Sequence, residues 1–340
     1  MSASVHSQGK LVIAHRGASG YLPEHTLAAK VLAHAQGAHY LEQDVVMTSD
    51  DELVVLHDIT LDRVTDVATK FPGRQRQDGR FYVVDFTLAE IRQLKVSEAF
   101  NRLAGVELPL FPERFPLWAS RFHINTLAEE IELIQGLNHT SGRKAGIYPE
   151  IKSPWFHHQE GKDISRAILP VLKQYGYDHR ESGIFLQTFD FNELLRVKQE
   201  LLPEFDMDIP LVQLIAASSA QETFTQTEDG NWVPYDYDWM HDAEGMELIA
   251  RYADGVGPSM NMIVTESPSA EPVFTEFVSH AHSAGLLVHP YTFRQDTGRI
   301  PAYARDFEEL LDIFLFQIDV DGVFTDYPDR AVNFLRSRGE

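Results

Sequence analysis

YLEQDVVMTSDDELVVLH, residues 40–57, holds two apolar runs that read as strands, with only TSDD between them. Four residues are too few for the helical crossover that parallel neighbours require, so ELVVLH (52–57) folds back on YLEQDVV (40–46) as a hairpin-like extension. Working outward from that junction, further strand-like runs stand at LVIAH (11–15), GIYPEIK (146–152), GIFLQTF (183–189), PLVQLIA (210–216), DGVGPS (254–259), LLVHPYTF (286–293) and DGVFTD (321–326). Helical patterns separate most of them: TLAAKVLAHAQGA, TLAEEIELIQGL, DISRAILPVLKQYG, FNELLRVKQELL, TEFVSHAHSAG and DFEELLDIFLFQI. With ELVVLH set aside, eight strand–helix units remain, the number that closes a (β/α)8 barrel through right-handed crossovers.

Residues 58–125 break the alternation. They are rich in Pro, Arg, Phe and Asp and carry one clear short helical pattern, TLAEIRQL. They read as an insertion after the second strand, above the face where barrels place their active sites, so the chain is expected to be a single barrel domain with one insertion.

The composition narrows the function. The chain has 340 residues, 44% hydrophobic, enough for a large core. No run of about 18 apolar residues is present to span a bilayer. There are no cysteines, which excludes disulfides, thiol catalysis and Cys-ligated zinc. A net charge of −22 argues against nucleic acid and against stable membrane association. The polar start MSASVHSQGK has no apolar signal core and reads as a short tail.

Strand positions i and i+2 share a face, so Glu42 and Asp44 project together into the barrel mouth if Leu41 and Val45 pack outward. Glu150 and Lys152 repeat that pattern one strand on, His57 ends VVLH, and His15 and Arg16 end the first strand. Buried carboxylate pairs are costly unless a cation or basic group meets them. Glu42, Asp44 and Glu150 form an all-oxygen set suited to a hard divalent cation, Ca²⁺ or Mg²⁺. His15 and His57 suit general acid–base work, and Arg16 and Lys152 suit gripping a phosphate. Together they fit phosphodiester cleavage.

HRGASGYLPEHT, YLEQDVVMTSDDELVVLHD, YPEIK and DGVFTDYPD resemble the signature blocks of glycerophosphodiester phosphodiesterases, closest to the longer periplasmic bacterial form, over nearly the whole chain. The resemblance implies a TIM barrel that hydrolyses small glycerophosphodiesters such as glycerophosphocholine or glycerophosphoethanolamine to glycerol 3-phosphate and an alcohol. It implies His15 and His57 as the acid–base pair, Glu42, Asp44 and Glu150 as metal ligands with Ca²⁺ ahead of Mg²⁺, and Arg16 and Lys152 on the phosphate. The strand end LQTF, where the family is commonly serine-rich, adds Gln187 and Phe189 as substrate-binding positions, and Tyr291 stands where a Trp is common. PEHT replaces the family's usual PENT, with His25 for Asn and little effect expected, because Thr26 still caps the helix. A periplasmic location follows from the same resemblance, with the signal peptide absent from this sequence, and a homodimer is the assembly expected.

Other readings compete at single positions. Glu42 and Asp44 could pair with Arg63 or Lys152, and His57 could cap the hairpin. Glu24 precedes a helix N-terminus, where an acid is favoured anyway. Trp155-Phe156-His157-His158 either lines the mouth or packs under the insertion. His280 and His282 read as surface residues, His289 as core, and Asp326 as a loop organiser. For the whole chain, the alternatives are a phosphoinositide-type phospholipase, which needs a basic or exposed apolar loop that the sequence does not offer, and a non-catalytic binding protein on the same barrel.

Overall fold

In the computed structural model the described residues are 9–103, 105–267 and 271–339, so most of the expected N-terminal tail lies outside them. Eight strands are parallel: β1 (Leu11–Ala14), β2 (Tyr40–Met47), β3 (Gly146–Ile151), β4 (Leu186–Thr188), β5 (Leu211–Ile215), β6 (Gly255–Pro258), β7 (Leu287–Val288) and β8 (Gly322–Thr325). They run in the order β7-β6-β5-β4-β3-β2-β1-β8. The ends of that row meet: Asp321 N–H donates to Val288 O (3.0 Å), Phe324 N–H to Pro290 O (3.0 Å) and Phe293 N–H to Phe324 O (2.8 Å). The protein is therefore a TIM-type barrel.

Leu53–Val55 pairs antiparallel with β2, Val46 opposite Val54, as the four-residue TSDD link requires. The expected strands 183–189 and 286–293 are regular only over β4 and β7; Pro290 has no N–H to extend the second ladder.

The strands alternate as their sequences dictate. Val12, Leu41, Val45, Ile147 and Ile151 face outward into the layer beneath the helices. Inside the barrel, Ile13, Tyr148, Phe185, Val212 and Phe324 fill the floor. Each such buried side chain contributes roughly 1.5–3 kcal/mol. The outer helices are α1 (Leu27–Gln36), α2 (Leu127–Ser141), α3 (Ile164–Gln174), α4 (Phe191–Arg196), α5 (Ala243–Ile249), α6 (Phe277–Ser283), α7 (Phe307–Asp312) and α8 (Pro328–Arg338). Helices α5 and α8 were not anticipated from periodicity. Thr26 accepts the Ala29 N–H at the start of α1 (3.2 Å), and Thr126 and Glu129 form a capping box on α2.

Residues 58–125 build their own apolar cluster, including Leu61, Phe81, Phe86, Ile91 and Val96, against Val46 and Val54 of the hairpin. The expected helix TLAEIRQL is shorter than its pattern, covering only Leu88–Ile91 behind a Thr87–Glu90 capping box. Trp155-Phe156-His157-His158 resolves toward packing. Phe156 stacks on Tyr82 of the insertion, ring centroids 5.4 Å apart. Trp155 meets Phe224 (4.7 Å) and Trp232 (6.0 Å). Buried His157 takes the Met47 N–H at Nε2 (3.1 Å).

One expectation is corrected. Exposed apolar residues do occur on loops: Leu103, Val106 and Leu108 in the hairpin of the insertion, Trp232 and Val233 in the β5–α5 loop, and Val273 and Phe274 in the β6–α6 loop. Which face of such short hairpins points outward depends on what they pack against, and that is not written in their own residues.

Candidate active site

Strand β1 ends at Ala14, and the chain then turns sharply through Arg16 (φ 58°) and Gly17 (φ 86°). A Cβ on Gly17 would lie 2.8 Å from the backbone carbonyl carbon of Ala29 in α1, so only glycine fits that close approach. The turn aims the Arg16 N–H at Glu42 Oε2 (2.7 Å) and leaves His15 at the mouth.

Register places the carboxylates. Asp44 on β2 lies opposite Glu150 on β3, and Glu150 lies opposite Gln187 on β4. Glu42 sits two residues before Asp44 on the same face, and Gln187 Nε2 reaches its Oε1 at 3.4 Å. One ligand oxygen from each of Glu42, Asp44 and Glu150 lies within 4.8 Å of the others. Asp44 Oδ1 is buried and has no hydrogen-bond partner among the described residues. An orphaned buried carboxylate oxygen in an all-oxygen set fits a hard divalent cation, so these three residues could hold one. A second group, His158, Asp163 and Glu193, is also close enough. There Arg196 already bridges Asp163 and Glu193, so no cation is needed to balance the charge.

His15 Nδ1 lies 2.5 Å from Asp326 Oδ1, and His57 Nδ1 lies 2.5 Å from Asp58 Oδ1. An ionised carboxylate only accepts, so each Nδ1 carries the hydrogen and donates it. Each Nε2 is left as the unprotonated ring nitrogen. Burial, then the neighbouring Arg16, push His15 down to about 4 despite Asp326. Burial, Arg16 and Lys152 push His57 the same way, although its side chain keeps 28% exposure. Burial alone would raise Asp326, but Arg294, His15 and Arg114 outweigh it and hold it well below the usual carboxylate range. Arg114 Nη2 donates to Asp326 (2.6 Å) and Arg294 Nε does the same (2.7 Å).

The carboxylates differ among themselves. Burial, with Asp44 beside it, pushes Glu42 up to about 8. Burial also raises Glu150 well above its ordinary value, even though Lys152 Nζ lies 3.0 Å from its Oε1. Burial would raise Asp44 too, but Lys152 and His25 overrule it and hold it low. Three carboxylates packed together resist ionising at once, and a bound cation relieves that repulsion.

All ten positions named from the sequence, His15, Arg16, Glu42, Asp44, His57, Glu150, Lys152, Gln187, Phe189 and Tyr291, line one cavity of about 260 Å³. Glu222, Thr292 and Arg294 join them there. Phe189 packs edge-on against Tyr291 (5.8 Å) beneath the Lys152 ammonium.

Several partners were missed or misread. His25 was expected to matter little, yet its Nε2 lies 2.7 Å from Asp44 Oδ2. Lys30 Nζ can only donate, and it meets His25 Nδ1 at 3.3 Å, so Nε2 carries the hydrogen given to Asp44. Arg63 does not pair with Glu42 or Asp44; it binds Asp58 (2.8 Å) and Glu24 (2.9 Å). Glu24 also takes Arg16 Nη1 (2.8 Å), so it is a buried bridge between two arginines and not merely a helix-end acid. His289 is core, as expected, its Nδ1 2.9 Å from Tyr148 OH. His282 is not free on the surface; its Nε2 lies 3.0 Å from Asp321. Asp58 had a signal in the dipeptide His57-Asp58; Arg114 had none, since it comes from irregular chain.

Residues 15–330 match the model of the glycerophosphoryl diester phosphodiesterase family. A glycerophosphodiester phosphodiesterase of Haemophilus influenzae is 53% identical over 329 residues, covering 96% of this chain and 90% of that protein. One of Treponema pallidum is 46% identical over 328 residues, covering 96% and 92%. A crystal structure of a protein from Silicibacter pomeroyi, described as of the same kind, superposes with a TM-score of 0.68 at 25% identity, covering 98% of this chain and 95% of that one. With its barrel, its paired histidines and this match across nearly its whole length, the chain belongs to the glycerophosphoryl diester phosphodiesterase family.

Proposed function

We propose that this enzyme hydrolyses small glycerophosphodiesters, among them glycerophosphocholine and glycerophosphoethanolamine, to sn-glycerol 3-phosphate and an alcohol. The observation that carries the reading is the pairing of two carboxylate-oriented histidines, His15 and His57, in one cavity with three converging carboxylates and with Arg16 and Lys152. The named activity of the relatives at 53% and 46% identity supports it.

In this reading Lys152 and Arg16 attract the phosphodiester anion. One histidine takes the proton of the attacking oxygen at Nε2, and the other gives a proton to the departing alkoxide. The attacking oxygen belongs to water or to a glycerol hydroxyl; the second route passes through a cyclic phosphate that water opens, and the net reaction consumes one water either way. Both histidines are held neutral by burial and nearby cations, so the donor gains its proton as the anionic substrate binds beside it. Asp326 and Asp58 keep each Nδ1 protonated and each ring oriented. Glu42, Asp44 and Glu150 would hold a divalent cation, Ca²⁺ in preference to Mg²⁺. When bound, it supplies positive charge against the charge that develops on the phosphoryl oxygens. Phe189, Tyr291 and Gln187 shape the pocket around the glycerol and head group. The location we propose is the periplasm, with which a chain lacking cysteine is compatible.

The test is release of glycerol 3-phosphate from glycerophosphocholine. The reading predicts that release stops with EGTA and returns with Ca²⁺ more fully than with Mg²⁺. No release with either metal would overturn it.

A further inference from the structure

At the end of the barrel away from the mouth, the start of β1, the C-terminal ends of α1 and α8 and the turn after α2 enclose a pocket of about 470 Å³. Its polar side chains are Lys10, His39, Arg143 and Arg336. No Asp or Glu lines it, in a chain whose net charge is −22. Lys10 is balanced by Asp319 at its edge. The two arginines are not balanced. Arg143 donates Nη2 to Ala38 O (3.0 Å), while its Nε is buried without an acceptor. Arg336, among the described residues, has neither a carboxylate nor a carbonyl partner. Both guanidinium groups converge: Arg143 Nη1 and Arg336 Nη2 each lie 3.3 Å from the point a Cβ on Gly37 would occupy.

Cations near helix C-termini are favoured by the helix dipole, which accounts for one basic residue at each end. It does not account for two guanidinium groups aimed at one point in a pocket that no carboxylate lines. Burial and then Arg336 push Arg143 down, and burial and then both arginines push His39 down. His39 Nδ1 accepts the Val12 N–H (2.9 Å), so its Nε2 carries a hydrogen and adds a neutral donor. A fork of two arginines with an imidazole N–H is the donor set that a phosphate-class dianion takes up.

We propose that this pocket is a binding site for a small free anion of the phosphate class, inorganic phosphate or a phosphate monoester, at the opposite end of the barrel from the catalytic cavity. The site does not depend on the phosphodiesterase reading. The anion sits between Arg143 and Arg336 above Gly37, whose missing side chain leaves the room. A concave pocket on a chain of net charge −22 favours a free anion over a headgroup in an anionic membrane.

The test is calorimetric titration of the full chain, metal-free, with inorganic phosphate and with glycerol 3-phosphate. Wild type, Arg336→Gln, Arg143→Gln and Lys152→Met are compared; Lys152→Met reports anion uptake at the catalytic mouth. The expected result is a binding event weakened at least about tenfold by Arg336→Gln and retained in Lys152→Met, with glycerophosphocholine turnover unchanged in Arg336→Gln. Arg336 is exposed on α8, so that variant carries the test even if Arg143→Gln fails to fold. An isotherm identical in wild type and Arg336→Gln, or one lost entirely with Lys152→Met, overturns the proposal. Co-sedimentation with phosphatidylglycerol vesicles is expected to be absent; sedimentation that Arg336→Gln abolishes would assign the pocket to a lipid headgroup and overturn the free-anion form.

Discussion

Asp326 decides which nitrogen of His15 remains free for chemistry. Replacing it by Asn leaves the shape but offers an amide that can itself donate, so the opposite tautomer becomes accessible. Asp326→Asn should lower kcat for glycerophosphocholine at least about hundredfold with KM little changed; an unchanged kcat would show that the Asp326 contact is structural only. His25 acts on the neighbouring function, because it fixes Asp44 Oδ2 and leaves Oδ1 free. His25→Ala should weaken Ca²⁺ binding roughly tenfold to a hundredfold in a calorimetric titration. At this scale the sequence was informative where chemistry follows the strand pattern. His15, Glu42, Asp44, His57, Glu150 and Lys152 sit at strand ends or alternate along strands, so period and position pointed to the mouth. Asp326, Arg114 and Glu24 complete the site through contacts 311, 212 and 39 residues long, and no local pattern encodes such distances.

Between elements, one buried ion pair ties the first two helices together under β2. Lys30 of α1 and Glu130 of α2 are both fully buried, 3.0 Å apart. Lys30 also donates to the Glu42 carbonyl, and Asn125 Nδ2 donates to Glu130 Oε1 (2.6 Å). Removing one partner strands a buried charge. Lys30→Met should therefore cost about 3–5 kcal/mol in urea unfolding, and adding Glu130→Gln should recover much of that loss; additive losses would mean that the pair is not coupled. Sequence periodicity revealed α1 and α2 readily, because their apolar positions repeat at helical spacing. It gave no sign that Lys30, inside TLAAKVL, faces inward. Helix α8 escaped because its mean hydropathy is low; length does not explain why α5 escaped, since α6 is equally short and showed its pattern. The hairpin at 40–57 was legible because link length alone decides it.

For the whole molecule, pH acts through buried neutral imidazoles as well as through carboxylates. Burial pushes His157 and His289 down to about 4. His157 Nε2 accepts the Met47 N–H, so protonation there breaks a hydrogen bond to β2. The sign follows from proton uptake. Between pH about 6.5 and about 4 the unfolded chain binds protons at these residues and the folded chain does not, so stability is full above that window and falls as pH drops through it. The loss is on the order of 3 kcal/mol per fully buried histidine at the lower limit. Carboxylates held low, such as Asp326 and Asp44, add to the loss only at more acid pH. Glu42 and Glu150, raised by burial, take up protons on folding and work the other way. The test is therefore a difference: between pH 7 and pH 5 the Tm of metal-free wild type should drop relative to that of His157→Gln, and parallel Tm profiles for the two would contradict this. The central claim is that two carboxylate-oriented histidines divide the acid and base work at a cavity built on three carboxylates. The measurement that reaches it most directly is the turnover of glycerophosphocholine by His15→Ala and His57→Ala, with folding checked by circular dichroism and Ca²⁺ binding by calorimetry. The account predicts that each variant folds, still binds the cation and loses at least about a hundredfold in kcat; a folded His15→Ala or His57→Ala that turns over near the wild-type rate would contradict it.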